Sequence, residues 1–313
     1  MSPFSFECKQ KEPFDIHFFG DPLYWGETAL AYQTAISGDD IGRLQLAQSL
    51  AQADYNHPEC ETASTRFDQR SFCFQHAKVT PKSFLLIHGF TACPYEMLEL
   101  GQRLFTAGHN VFGVRLAGHG TNTADFAKYN ANDWKRSTQN GLRIALLLGR
   151  EVVVIGESMG GTLAAILAET FPNLVSKLVL CAPAFLIANP LAYLTKWAII
   201  RQLIPQNDMG VLDEWQLNYW YRMIPTSGVG ELVKLAQEGY RAGPPIKAPT
   251  LIIQAYNDTI IRYQGSSHFH QTLKPETKLQ SKLILFEGGH HNLTIDLNPR
   301  KQEVFQWINE FLK

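Results

Sequence analysis

Cysteine is scarce, and its placement forms no pattern. Cys8, Cys60, Cys73, Cys93 and Cys181 are the five in 313 residues, with wide, irregular spacings and no CxxC pair. An odd number so spread excludes a disulfide framework and a zinc knuckle, and reads as reduced, mostly buried thiols in a cytosol-like compartment. Positive charge is not in excess either: 28 Lys and Arg face 29 Asp and Glu, a net charge of -1. With no basic run to neutralise phosphates, nucleic acid is not an expected partner. Met1 to Lys11 holds no apolar stretch of signal-peptide length, so an ordinary secretion signal is not expected. One apolar stretch, Leu178 to Ile200, approaches the length of a membrane span. Pro183 and Pro190 interrupt it, and it carries Asn189 and Lys196, so it reads as a buried strand running into a cap helix. There is no P-loop and no GxGxxG. His268 and His270 stand two apart without Cys or carboxylate partners at suitable spacing, so no cofactor and no metal are expected.

What is present is a balance of 45% hydrophobic and 18% charged residues, enough for one large core. Short apolar runs rich in β-branched residues recur at Phe84 to Ile87, Val111 to Val114, Val152 to Ile155, Leu178 to Leu180, Leu251 to Gln254 and Leu283 to Phe286. Such runs suit strands buried on both faces. Helical patterns alternate with them: Leu98 to Ala107 before Gly108, Trp134 to Leu148 before Gly149, Met159 to Thr170 before Pro172, and a last helix carrying Val304, Trp307, Ile308, Phe311 and Leu312. The alternation predicts the α/β class with a doubly wound sheet. Two regions break the rhythm. Residues 1–65 form an extension whose stretch Thr28 to Asp54 predicts one or two helices around Gly38, followed by an added edge strand within Arg66 to His76. Phe185 to Gly243 is an insertion with Trp197, Trp215, Tyr219, Trp220 and Tyr221. Most of these aromatics are expected to fill the insertion's own core, with an inner face lining an apolar pocket.

Gly156-Glu157-Ser158-Met159-Gly160 follows an apolar strand and opens a helix. A serine at such a turn exposes its hydroxyl, and the helix N-terminus offers unpaired N–H groups to a developing oxyanion. His88-Gly89-Phe90 follows another strand, so the N–H groups of Phe90 and Met159 are candidates for an oxyanion hole; His88 is expected only to give a supporting hydrogen bond. Serine needs a histidine base, and the histidine a carboxylate. Asp258 ends the strand Leu251 to Gln254, and His290 and His291 follow Leu283 to Phe286; strand ends are where α/β sheets place their chemistry. No carboxylate follows Leu178 to Leu180, which leaves Asp258 as the preferred acid. Glu157 is expected to turn away from the histidine and make a buried or half-buried polar contact.

Taken in order, several stretches make residues 66–313 resemble the α/β-hydrolase serine esterases, specifically small bacterial carboxylesterases and monoacylglycerol lipases. They are Leu85-Leu86-Ile87-His88-Gly89-Phe90-Thr91, Arg115-Leu116-Ala117-Gly118-His119-Gly120, Asp133-Trp134, Gly156 to Gly161, Ala182-Pro183, Ala248-Pro249-Thr250 with Asn257-Asp258, and Gly289-His290-His291. The resemblance implies the α/β-hydrolase fold, a doubly wound, mostly parallel sheet with a helical lid insertion. The expected division is a helical extension at 1–65, core at 66–184, lid at 185–245 and core again at 246–313. It implies His119 as part of a structural turn near the pocket. It excludes dehalogenase and epoxide hydrolase chemistry, which uses aspartate where Ser158 stands. For the base, the register of Phe286-Glu287-Gly288-Gly289 and of Asp296, five residues beyond, selects His291; a Gly-His pairing would select His290. The implied activity is cleavage of uncharged short to medium acyl esters or monoacylglycerols through an acyl-serine intermediate, in the cytoplasm, with at most transient membrane-surface contact through the lid. Thioesterase, amidase or aminopeptidase, and acyltransferase chemistry share the triad, and a non-catalytic ligand receptor shares the fold. For an aminopeptidase, Asp208, Asp213 and Glu214 are candidates to meet a free amine.

Overall fold

The apolar runs of the sequence become neighbours in one seven-stranded sheet. The structure, a computed structural model, describes residues 38–58, 69–208 and 216–313. The strands in the sheet are β1 (Phe72–Phe74), β2 (Thr80–Ile87), β3 (Asn110–Val114), β4 (Gly149–Glu157), β5 (Lys177–Cys181), β8 (Thr250–Ala255) and β9 (Lys282–Phe286), in the order β1-β3-β2-β4-β5-β8-β9. All pairings are parallel except that of β1, the expected edge strand, which runs antiparallel to β3. The part of that expectation before residue 69 lies outside the described residues. β3 lies on one side of β2 and β4 on the other, so the order reverses at the β2–β4 boundary. At such a switch, the carboxyl ends of the strands border an open crevice.

Each central strand is buried on both faces. On β4, Val152 and Val154 pack into one core layer and Val153 and Ile155 into the other. The first layer is closed by α3 (Ala131–Leu148) and α4 (Met159–Thr170), the second by α2 (Leu98–Thr106) and α8 (Lys301–Leu312). Each such side chain withdrawn from water contributes about 1.5–3 kcal/mol before entropy is charged against it. Of the extension, α1 (Asp40–Tyr55) is described; the expected helical pattern before residue 38 lies outside the described residues. The Asp39 side chain accepts the Gly42 N–H at 2.7 Å and starts the helix. Leu44, Ala47 and Ala51 join the first layer, and buried Arg43 donates to the carbonyls of Leu146 and Gly149, both at 2.8 Å. Those carbonyls stand at the end of α3, where a cation satisfies acceptors the helix leaves open.

The insertion between β5 and β8 differs in detail from its expectation. The strand ends at Cys181, a 3₁₀ turn spans Pro190–Lys196, and a short α5 (Ala198–Leu203) and a longer α6 (Thr226–Gly239) follow. Between these helices, β6 (Gln206–Asp208) pairs antiparallel with β7 (Met223–Pro225), so the insertion is not purely helical. Nor do Trp197, Tyr219 and Tyr221 fill a core of its own. Trp197 is 61% exposed. Tyr219 stacks on Tyr95 of the main domain with ring centres 3.8 Å apart. Tyr221 is drawn into the main domain, donating from its hydroxyl to the Gly118 carbonyl and accepting the Thr121 N–H, both at 2.8 Å. Trp215 lies outside the described residues.

Candidate active site

The turn from β4 into α4 is set by two glycines. A Cβ on Gly156 would stand 2.2 Å from the Gly160 carbonyl oxygen, and one on Gly160 would stand 2.2 Å from that of Ile87. No larger residue fits, so β4, β2 and α4 approach as closely as backbone allows. Ser158 sits between them at φ 53, ψ -116, a left-handed conformation that a side-chain-bearing residue holds only when its surroundings fix it. They do: its N–H donates to Cys181 O at 2.8 Å, and its carbonyl accepts from Ala184 and Thr162.

Three strand ends then converge. The Ser158 hydroxyl lies 2.9 Å from His291 Nε2, and His291 Nδ1 lies 2.7 Å from Asp258 Oδ2. The carboxylate fixes the tautomer: Nδ1–H donates to Asp258, leaving the Nε2 lone pair toward the serine O–H. Asp258 Oδ1 accepts the N–H groups of Ile260 at 2.9 Å and Ile261 at 3.0 Å. Burial works to raise its pKa, but the His291 hydrogen bond and charge and the two N–H donors outweigh burial and hold the carboxyl below its usual range. His290 is turned elsewhere. Its Nδ1 accepts the Asn292 N–H at 3.1 Å, and burial followed by the neighbouring His291 charge lowers its pKa. Of the two adjacent histidines, His291 is therefore the one that touches Ser158 and Asp258.

The N–H groups of Phe90 and Met159 make no hydrogen bond among the described residues. His88 supports the loop before Phe90: Nδ1–H donates to Gly89 O at 2.9 Å and Nε2 accepts the Leu116 N–H at 3.1 Å. Burial pushes its pKa down to about 3, so it is neutral and holds no mobile proton near neutral pH. His119, within the Gly118–Gly120 turn, is buried against it with ring centres 5.1 Å apart and is likewise held neutral by burial.

Glu157 makes the expected buried polar contact: its Oε1 accepts the Leu293 N–H at 3.0 Å. What the sequence did not single out is Glu96. It is buried beneath the same loops, its Oε2 accepting the Gly89 N–H at 2.6 Å and its Oε1 the Asn292 side-chain N–H at 2.7 Å. Burial raises its pKa to about 7, against the pull of those two donors and of His291. Burial, then the charges of Glu96 and Asp258, raise Glu157 well above the usual carboxyl range. The one sequence signal for Glu96 is a carboxylate in the apolar run Pro94-Tyr95-Glu96-Met97 directly after the His88-Gly89-Phe90 loop.

The remaining candidates fall elsewhere. Asp208 forms an exposed ion pair with Arg222 at 3.3 Å; Asp213 and Glu214 lie outside the described residues. His268 and His270 sit on α7 (Tyr263–Thr272), where His268 stacks on Tyr240. Among the described residues no group of three or more His, Cys, Asp or Glu side chains could hold a metal, and no helix is long and apolar enough to cross a membrane.

Residues 80–298 match the family described as serine aminopeptidase, S33. The chain is 27% identical to a thermostable monoacylglycerol lipase of Bacillus sp. (strain H-257), over 71% of this chain and 87% of that protein. It is 23% identical to a carboxylesterase of Bacillus subtilis (strain 168), over 75% of this chain and 97% of that one. The solved structure of the metagenome-derived lipolytic enzymes LipS and LipT superposes with a TM-score of 0.69 at 22% identity, covering 78% of this chain and 97% of that chain. That likeness establishes the α/β-hydrolase fold.

Proposed function

The chain belongs to the serine aminopeptidase S33 family, and from that premise we propose that it is a carboxylic ester hydrolase working through an acyl-serine intermediate. The observation that carries the reading is the unbroken contact from Ser158 through His291 to Asp258, at 2.9 and 2.7 Å. In the first step the Ser158 oxygen attacks the ester carbonyl carbon while its proton passes to His291 Nε2. Asp258 stabilises the imidazolium, and the negative oxygen is received by the N–H groups of Phe90 and Met159. Collapse breaks the carbon–oxygen ester bond, and the alcohol leaves with the proton from Nε2. Water then attacks the acyl carbon with His291 as base, and the carboxylic acid departs as Ser158 regains its hydrogen.

The substrates are uncharged short- to medium-chain acyl esters or monoacylglycerols. The near-zero net charge and the named lipase and esterase relatives support this. The insertion acts as a lid, and its exposed Leu191, Trp197, Ile199 and Leu203 suit transient contact with a lipid surface. The buried free thiols of Cys73 and Cys181 suit a reducing compartment such as the cytoplasm.

The family's description favours a second reading, aminopeptidase chemistry. It needs a carboxylate for the substrate's amine, and Asp208 is instead paired with Arg222. Turnover of p-nitrophenyl esters of graded chain length, set beside aminoacyl p-nitroanilides, decides between them. The expected result is a maximum at short to medium acyl chains and negligible anilide cleavage. A preference for the anilides would transfer the assignment to the aminopeptidases.

A further inference from the structure

Resting on the reading of Ser158, His291 and Asp258 as the reacting groups, we propose that Glu96 is a positioning residue that locks the oxyanion loop and the histidine loop into one register. One carboxyl group serves both. Its Oε2 accepts the Gly89 N–H, the peptide next to Phe90, and its Oε1 accepts the amide of Asn292, the residue next to His291. The two loops lie about 200 residues apart in sequence, and each moves a different reacting group: an oxyanion donor on one side, the base on the other. Thr294 closes the arrangement from the histidine loop, donating to the Glu96 carbonyl at 3.0 Å. The packing leaves no slack: a Cβ on Gly89 would stand 3.2 Å from Glu96 Oε2 and 3.4 Å from Ser158 Cβ.

A buried N–H requires an acceptor, which any polar side chain could supply. Accepting two N–H groups on opposite sides of one planar group is what a carboxylate does without reorienting. An amide at position 96 can still accept from Gly89 through its oxygen and can donate to Asn292 once that amide turns over. Alanine can do neither. The titratable groups facing Glu96 are His291 from the histidine loop, Glu157 from the end of β4 and Cys181 from the end of β5. Glu157 also holds the histidine loop, through the Leu293 N–H, but Glu96 reaches both loops at once.

The test compares Glu96→Ala, Glu96→Gln, Asn292→Ala and Ser158→Ala with p-nitrophenyl butyrate and a fluorophosphonate probe. Glu96→Ala is expected to lower kcat about a hundredfold with KM within about threefold, the size of losing one aligned oxyanion donor. Glu96→Gln should recover to within about tenfold of wild type, and Asn292→Ala should lose about tenfold. A folded Glu96→Ala with wild-type kcat overturns the proposal, as does a Glu96→Gln no better than Glu96→Ala. Should Glu96→Ala not fold, an unchanged kcat in Asn292→Ala overturns it equally. Ser158→Ala separates the two levels: if it still turns over and labels, the reading of the reacting groups fails; if it is dead while Glu96→Ala is fully active, only the positioning role fails.

Discussion

At Ser158 the side-chain chemistry depends on neighbours that hold it in an unfavourable backbone conformation. The same pressure falls on the carboxyl groups behind it, and it makes them readable by pH. Asp258 is held below its usual range, so its contribution to stability is present above the unfolded value and is lost as pH falls through the folded one. Glu96 and Glu157 are held above theirs, so their contribution is complete below the unfolded value and is lost as pH rises through the folded one. Glu157→Gln keeps an acceptor for the Leu293 N–H and cannot ionise. It should therefore match wild type near about pH 5 and melt higher near about pH 9, since every tenfold difference in proton affinity between the folded and unfolded chain corresponds to about 1.4 kcal/mol. A constant difference in melting temperature across that range would show that Glu157 does not titrate between the two. The adjacent histidines give a second expectation. His291→Ala should lose more than about a thousandfold in acylation rate, while His290→Ala, whose ring accepts the Asn292 N–H, stays within about tenfold. The opposite ranking in single-turnover acylation would move the base to His290. The meeting of Ser158, Asp258 and His291 was foreseeable because each lies in the turn or loop after an apolar strand of one parallel sheet. Glu96 was not, because a single carboxylate in a loop has no period and no spacing to mark it.

Among elements, the central strands and their helices were legible from short β-branched runs and 3.6-residue patterns. Met159–Thr170 and the C-terminal end of Ala131–Leu148 coincide with their expectations. The insertion was less so. Its paired strands are three residues long, too short to show an alternation, and an aromatic cluster in a helical segment ordinarily packs on itself. In fact Tyr219 and Tyr221 help attach the insertion to the main domain. Tyr221→Phe removes the hydroxyl and leaves the Thr121 N–H without its acceptor and the Gly118 carbonyl without its donor. A loss of about 1–3 kcal/mol in chemical denaturation is expected. Stability equal to wild type would mean that water replaces the hydroxyl at no cost. On the other side of the molecule, Arg43 joins α1 to the end of α3 through two carbonyls, and Arg43→Ala should cost a similar amount.

On the scale of the whole molecule, the order of the strands explains why these loops meet. The reversal between β2 and β4 brings the Phe90 loop and the Ser158 turn side by side, and the parallel addition of β5, β8 and β9 brings Asp258 and His291 to the same edge of the sheet. Parallel strands all deliver their carboxyl ends to one side, so residues far apart in sequence share one crevice. The most direct measurement is fluorophosphonate labelling of the intact protein, followed by peptide mass mapping and p-nitrophenyl butyrate turnover in wild type and Ser158→Ala. The account predicts one phosphonyl group per chain, on Ser158, with labelling lost and turnover down by several orders of magnitude in the variant. Labelling at another residue, or turnover that survives Ser158→Ala, would contradict it.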